Sequence, residues 1–121
     1  MTSQHFNFPP ASRLKTPAEF KHVFTCPVKS TDRYFTLLAI KNPLEHSRLG
    51  LAIAKKNIKR AVDRNKIKRV ARESFRLQPH QRIAIDIVVL ARRDAANATS
   101  TQLATSLERH WQKLVKKCDN C

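Results

Sequence analysis

Arg64, Asn65, Lys68, Arg69 and Arg72 carry the densest chemistry in this sequence, and it is the chemistry of gripping phosphate. Arginine offers planar, forked donors that match phosphate oxygens, lysine adds a compact charge, and asparagine a neutral donor and acceptor beside them. On a helix Arg64, Lys68 and Arg72 stand one above another at i, i+4 and i+8, with Asn65, Arg69 and Arg76 on the adjoining arc. Ile67, Val70, Ala71 and Ser74 recur at helical spacing as a narrow core-facing stripe on roughly the opposite side. Residues 55–76 hold ten lysines and arginines, Lys55, Lys56, Lys59 and Arg60 among them, against Asp63 and Glu73 alone. Like charges at i, i+4 cost an isolated helix a few tenths of a kcal/mol per pair, roughly. A mixed-sign face would read as an ordinary solvated surface. A single-sign face this dense points to a polyanion laid along it, whose phosphates offset that cost.

Nothing nearby is equipped to break a bond. General acid–base work needs a carboxylate or histidine within reach of the reacting proton. Asp63 and Glu73 flank the basic arc and read as charge balance, while Asp86, inside an apolar run, reads as a structural hydrogen-bonding group. No Ser/His/Asp or Cys/His constellation is apparent, so no catalytic residue is assigned. His5, His22, His46, His80 and His110 are scattered without ligand spacing, and no metal site is assigned. Cys118 and Cys121 form a Cys-x-x-Cys pair at the C-terminus, expected as exposed free thiols on a frayed tail; with Cys26 they make no disulfide framework. Gly50 is the only glycine, which excludes the glycine-rich turns that bring a backbone up to a nucleotide's phosphates.

The elements that must position the basic arc are legible on either side of it. Thr16, Pro17 and Glu19 have the spacing of a capping box, followed by Phe20, Val23 and Phe24 on one helical face, with Pro27 ending the segment. Tyr34–Lys41 and Arg48–Ala54 read as strands, the second containing Gly50, where a strand glycine marks a bulge or close backbone approach. A further short strand is expected near Val28. The basic helix is expected from about Asn57 to Arg76, closed by Pro79, and Ile83–Ala91 reads as a strand at the middle of a sheet. Thr99 and Gln102 make a second capping box before a closing helix with Leu103, Leu107, Trp111 and Leu114 on its apolar stripe.

The chain of 121 residues suits one α+β domain. We expect a flexible segment over 1–12, the domain over 13–117 and a tail over 118–121. A net charge of +15 favours nucleic acid as the partner. No apolar run reaches the ~20 residues of a membrane span, and the N-terminus lacks a signal-peptide layout, so a cytoplasmic protein without a membrane partner is expected.

The run from Lys55 to Arg76, with Arg64-Asn65, Lys68-Arg69 and Arg72 as its centre, closely resembles the signature of the bacterial ribonuclease P protein subunit. Arg13-Leu14, Phe20 and Phe24 upstream, Arg48-Leu49-Gly50-Leu51 before the lysines and Asp86–Arg92 after the helix agree in order, so the resemblance spans roughly residues 13–115. Leu38 stands where some members carry tyrosine, and Lys59 where many carry glycine. The resemblance implies a small αβ sandwich of the ribosomal small-subunit protein type, with one mixed sheet of about four strands and about three helices. It also implies a left-handed βαβ crossover through the basic helix, a rare hand for such connections. The implied role is the non-catalytic subunit of a ribonucleoprotein whose catalytic RNA removes the 5′ leader of precursor tRNA, as a monomer in a 1:1 complex. Mg2+ is implied for the holoenzyme, held mainly by the RNA. The RNA-binding residues it implies are Phe20 and Phe24, as faces on which leader bases stack, with Lys55, Lys56, Lys59, Arg60, Arg64, Asn65, Lys68, Arg69, Arg72 and Arg76. Tyr34 or Phe35 would add a further aromatic face.

A ribosomal or ribosome-associated structural protein would share the size, charge and basic surface, and the long basic motif favours the first reading over it. A duplex-DNA reader would mix base-reading side chains into the exposed face, whereas this face is nearly all arginine and lysine, the pattern of backbone contact. A protein-only nuclease would need clustered metal-binding carboxylates.

Overall fold

The computed structural model describes residues 13–25, 27–44, 46–78 and 84–119. The expected flexible segment 1–12, the closing Pro79, the strand start at Ile83, and Cys26 and Cys121 lie outside the described residues.

The elements run α1 (Pro17–Thr25), β1 (Val28–Thr31), β2 (Phe35–Lys41), β3 (Arg48–Ala52), α2 (Ala61–Arg76), β4 (Ile85–Ala91), a 3-10 segment (Arg93–Asn97) and α3 (Ser100–Asp119). Both capping boxes form. Glu19 N donates to Thr16 Oγ1 at 3.2 Å while Thr16 N donates back to Glu19 Oε1 at 3.0 Å. At α3, Gln102 N donates to Thr99 Oγ1 at 3.1 Å and Thr99 N to Gln102 Oε1 at 2.9 Å. Each pair satisfies two N–H groups that a helix start otherwise leaves open.

The four strands form one mixed sheet in the order β1-β2-β4-β3. β1 and β2, and β2 and β4, are antiparallel; β3 and β4 are parallel and connect through α2. β4 lies inside the sheet, which is why its apolar run is nearly continuous and almost every residue is buried. Arg13 extends the free edge of β3 by a parallel bridge to Leu49.

Strand alternation divides the interior in two. Phe35, Leu37, Ala39, Leu49, Ile87 and Val89 face the layer built by α2 and α3, where Ile67, Leu103, Leu107, Trp111 and Leu114 close the larger core. Leu38 and Val88 face the other way, under Leu14 and Val23, with Phe20 packed beside them. The two layered helices are locked by Trp111 Nε1, which donates to Ser74 Oγ at 2.7 Å, and by the edge-on contact of Trp111 with Phe75. No helix among the described residues is long and apolar enough to cross a membrane.

Two expectations need correction. α2 begins at Ala61 rather than Asn57, because 54–60 is a turn that inserts Ile58 into the core. Asn57 N and Ile58 N both donate to Ala54 O, at 3.2 and 3.0 Å, and Arg60 is extended as the helix N-cap. The basic pattern runs unbroken through this turn and hides it. Cys118 is not an exposed thiol on a frayed tail: it lies in α3, 2% exposed, and continues the stripe of Leu107, Trp111 and Leu114 into the core. A free cysteine packs as a small apolar residue.

Candidate RNA interface

The turn and α2 carry the expected basic residues on one surface. Lys55, Lys56, Lys59 and Arg60 are exposed on the turn, and Asn65, Arg69 and Arg72 on the outer arc of α2, with Lys68 and Arg76 half-buried at its flanks. The side chains of Lys55, Lys56, Lys59, Lys68, Arg69 and Arg72 make no hydrogen bond or ion pair among the described residues. Arg60 approaches Asp63 at 4.0 Å and Arg76 approaches Glu73 at 3.9 Å, so both acids act as local charge balance. A like-signed face with so few internal partners is electrostatically incomplete until an anion lies on it.

Arg64 has a second task. Its Nη1 donates to the carbonyls of Ile58 at 3.0 Å and Lys59 at 2.9 Å. The guanidinium therefore closes the turn that precedes its own helix and sets Lys59 and Arg60 in position. Arg93 is a residue that sequence spacing missed. It stands on the 3-10 segment, across a groove of about 430 Å³ from Lys56, Lys59 and Arg60. Only the parallel pairing of β3 with β4 brings that segment beside the turn, so no local pattern announces it.

The aromatic residues lie elsewhere. α1 packs on the sheet face away from α2, so Phe20 and Phe24 and the basic arc occupy opposite sides of the sheet. Phe24 is 47% exposed and presents a ring to solvent. Phe20 is half-buried against β3, and a Cβ added at Gly50 would lie 2.7 Å from its ring carbons, so the single glycine is a close approach between strand and helix. Phe35 is fully buried in the larger core and supplies no stacking face. Tyr34 packs at the edge of that core beneath Arg33, whose guanidinium lies 5.6 Å from the ring centre.

α1 is held by charge as well as packing. Arg48 donates to Asp86 through Nε and Nη2, and to Glu19 Oε2 through Nη1 at 2.8 Å. Asn42 Nδ2 adds a 2.7 Å bond to Asp86 Oδ1. The Asp86 bond raises the Arg48 pKa further above its ordinary value. Backbone donors at Lys15 and Thr16, then the nearby Arg48, hold the Glu19 carboxyl below its usual range. Asp86 is thus the structural hydrogen-bonding group its setting suggested.

A Ser/His/Asp set, which spacing did not reveal, assembles around His110. Ser30 Oγ is 2.7 Å from His110 Nδ1, and Asp32 Oδ1 is 3.2 Å from Nε2. Ser106 Oγ donates to Asp32 Oδ2 at 2.5 Å. His110 is 1% exposed and Ser30 4%, so the set ties α3 to β1 and the following turn and meets no substrate. Among the described residues no group of three or more histidine, cysteine or carboxylate side chains is arranged to hold a metal ion.

Fold and site together define a class: small basic α+β proteins in which an arginine-rich crossover helix lies over a four-stranded mixed sheet. The family model for Ribonuclease P matches residues 8–115, and the chain belongs to the ribonuclease P protein family. It is 48% identical over 115 residues to the ribonuclease P protein component of Methylococcus capsulatus, covering 95% of this chain and 90% of that one. Its structure is similar to that of the Staphylococcus aureus ribonuclease P protein, with TM-score 0.78 and 34% identity over 86% of this chain and 97% of that one. The Thermotoga maritima ribonuclease P protein gives TM-score 0.69 at 28% identity, over 86% of this chain and 96% of that one. The chain is the protein subunit of an RNA-processing enzyme, with ribonuclease P RNA and precursor tRNA as its partners, and its family works in tRNA 5′ maturation.

Proposed function

We propose that this subunit divides its two RNA partners between the two sides of its sheet. The basic arc of Lys55, Lys56, Lys59, Arg60, Asn65, Lys68, Arg69, Arg72 and Arg76, with Arg64 bracing the turn, takes phosphates of the catalytic RNA. The α1 side, with Phe24 exposed and Phe20 beside it, takes the single-stranded 5′ leader. The observation that carries this reading is the separation of the two kinds of group. Stacking rings suit unpaired bases, whereas an arginine face without exposed aromatics suits a backbone. Lys29, exposed on β1 and paired with Leu38, adds positive charge on the sheet's α1 side.

No side chain of this protein enters the hydrolysis in this reading. The Ser30 hydroxyl and the His110 imidazole are buried out of reach of any RNA, and Mg2+ belongs to the RNA of the holoenzyme. The protein acts in the cytoplasm as a monomer in a 1:1 ribonucleoprotein, orienting substrate and screening phosphate repulsion.

Cleavage of a precursor tRNA by bacterial ribonuclease P RNA at low magnesium, with and without this protein, tests the reading. The expected result is strong stimulation, a cut at the mature 5′ end, and no cleavage by the protein alone. A protein that binds RNA yet gives no stimulation would overturn it and favour a structural role in a ribosomal particle.

A further inference from the structure

The family motif does not account for all of the charge. Between residues 109 and 117, α3 carries Arg109, Lys113, Lys116 and Lys117 and no acid. Arg109, Lys113 and Lys116 recur at i, i+4 and i+7 and so share one face. All three are exposed, opposite the buried Leu107, His110, Trp111 and Leu114. None of the three side chains makes a hydrogen bond or ion pair among the described residues. Lys117, at the margin, donates to Lys29 O at 2.5 Å.

Helix electrostatics explain only part of this stripe. Cations in a last turn complement the helix dipole, which covers Lys116 and Lys117. Arg109 stands mid-helix and Lys113 before the last turn, where the dipole gives no return and the i, i+4 repulsion between them is uncompensated. Their field is felt inside the protein too, where both charges act against protonation of His110.

We propose that Arg109, Lys113 and Lys116 form a second RNA-backbone surface, which takes a double-helical RNA element separate from the phosphates held by α2. Two observations set this choice. The stripe has no aromatic side chain, since Trp111 is turned into the core, so it lacks the stacking platform that single strands use. Double-helical RNA is recognised largely through its backbone and shape, and a straight row of cations about 10 Å long follows a rigid backbone. The stripe is also distinct from the α2 arc. α2 and α3 lie side by side, and the groove between them is lined by Glu73 and Glu108 together with Arg69, Ser100 and Thr101. Two exposed carboxylates in that groove repel phosphate and separate the basic surfaces into two tracks. The inference rests on the ribonuclease P setting, which leaves two sources of such a helix, the catalytic RNA or the body of the precursor tRNA.

The test uses the full chain with Arg109, Lys113 and Lys116 all changed to Gln, beside a second variant with Lys68, Arg69 and Arg72 changed to Gln. Binding is measured across salt to bacterial ribonuclease P RNA alone, and to precursor tRNA with the reconstituted holoenzyme. The α3 variant is expected to lose about tenfold or more in affinity in one arm, with a log–log salt slope shallower by about 2–3. Loss with the catalytic RNA alone assigns the surface to it, and loss only with precursor tRNA assigns it to the tRNA body. The charge-keeping variant Arg109→Lys with Lys113→Arg and Lys116→Arg should bind as wild type. Gln112→Glu, which places one acid beside the stripe without removing a base, should weaken binding in the same arm. Unchanged affinity and slope in both arms, while the α2 variant loses affinity, would overturn the proposal and leave the α2 reading intact. Loss in the α3 variant alone would support the proposal and sink the α2 reading. A short mixed-sequence duplex and a single strand of equal length complete the test: loss confined to the single strand would also overturn it.

Discussion

Arg48 and Asp86 are cross-strand partners in the parallel β3–β4 ladder, and their side chains meet through two hydrogen bonds, Nε to Oδ1 at 2.9 Å and Nη2 to Oδ2 at 2.6 Å. Asp86 is completely buried, and the third arm of Arg48 reaches Glu19 at the start of α1. One guanidinium thus joins the sheet to the helix that presents Phe20 and Phe24. Packing alone would leave α1 loosely held, since its only fully buried side chain is Val23.

Asp86→Ala should therefore act on both stability and RNA handling. Removing one partner of a buried pair strands the other charge, at a cost of about 3–5 kcal/mol. Urea unfolding should show that loss. Arg48→Met, which removes the charge that Asp86 was built to meet, should be comparably costly. Stability within ~1 kcal/mol of wild type for both would show that the network is not what holds α1.

Gly50→Ala probes the same junction from the strand side. The new methyl would sit 2.7 Å from the Phe20 ring and 2.9 Å from Leu14 Cδ1, so α1 must shift. Overpacking of this kind costs about 1–3 kcal/mol. Leader affinity should fall with it, and Phe20→Leu in the same chain should recover part of the stability in a double-mutant cycle. Additive effects would show that the two residues do not press on each other.

Much of this architecture was legible in local patterns. Thr16 with Glu19, and Thr99 with Gln102, announced two helix starts because a capping box is a purely local device. The unbroken apolar run of β4 announced an interior strand. What escaped depends on contacts between distant segments. The turn before α2 is set by Ile58 entering the core and by Arg64 closing on its carbonyls, while the basic residues continue through it without a break. Arg93 joins the basic groove only through strand pairing. The side on which each aromatic falls depends on which sheet face α1 covers, so Phe35 read as a possible stacking face although it fills the larger core. Ser30, Asp32 and His110 meet only because α3 packs on β1 and the turn after it.

That set makes stability fall with acid in two stages. Burial lowers the His110 pKa from 6.5, outweighing the pull of Asp32, with Lys113 and Arg109 adding to the fall. Ser30 and the edge-on Phe35 ring complete its surroundings. An unfolded chain takes up that proton more readily, so stability is fully present above pH 6.5 and declines as pH falls from there towards the folded-state value. Burial acts to raise Asp32, but Ser106, the N–H groups of Phe35 and Tyr34, and His110 outweigh it and hold the carboxyl at about 2. A second decline follows between its ordinary 3.8 and about 2. Thermal melting against pH should resolve both stages, and His110→Gln should remove the first and diminish the second, which Ser106 and the two N–H groups still sustain. A flat profile from pH 7 to 5 in the wild type would contradict the assignment.

Arg64 and Arg69 belong to one motif yet should fail differently. Arg69 is exposed and its side chain makes no hydrogen bond or ion pair among the described residues, so Arg69→Ala should weaken RNA binding, make the salt plot shallower by about one and leave stability unchanged. Arg64 holds the carbonyls of Ile58 and Lys59, so Arg64→Ala should weaken binding and also cost about 1–3 kcal/mol of stability. Its effect on affinity should be the larger, because Lys59 and Arg60 lose their fixed positions along with the charge at 64. For the wild type on the catalytic RNA, with ~5–6 phosphates engaged, the slope of log affinity against log salt should be about −4 to −5. Paired measurements of urea unfolding and salt-dependent binding on the two variants decide the matter. Equal stability for both would show that the turn stands without Arg64, and a near-flat salt plot for the wild type would show that charge is not the source of binding.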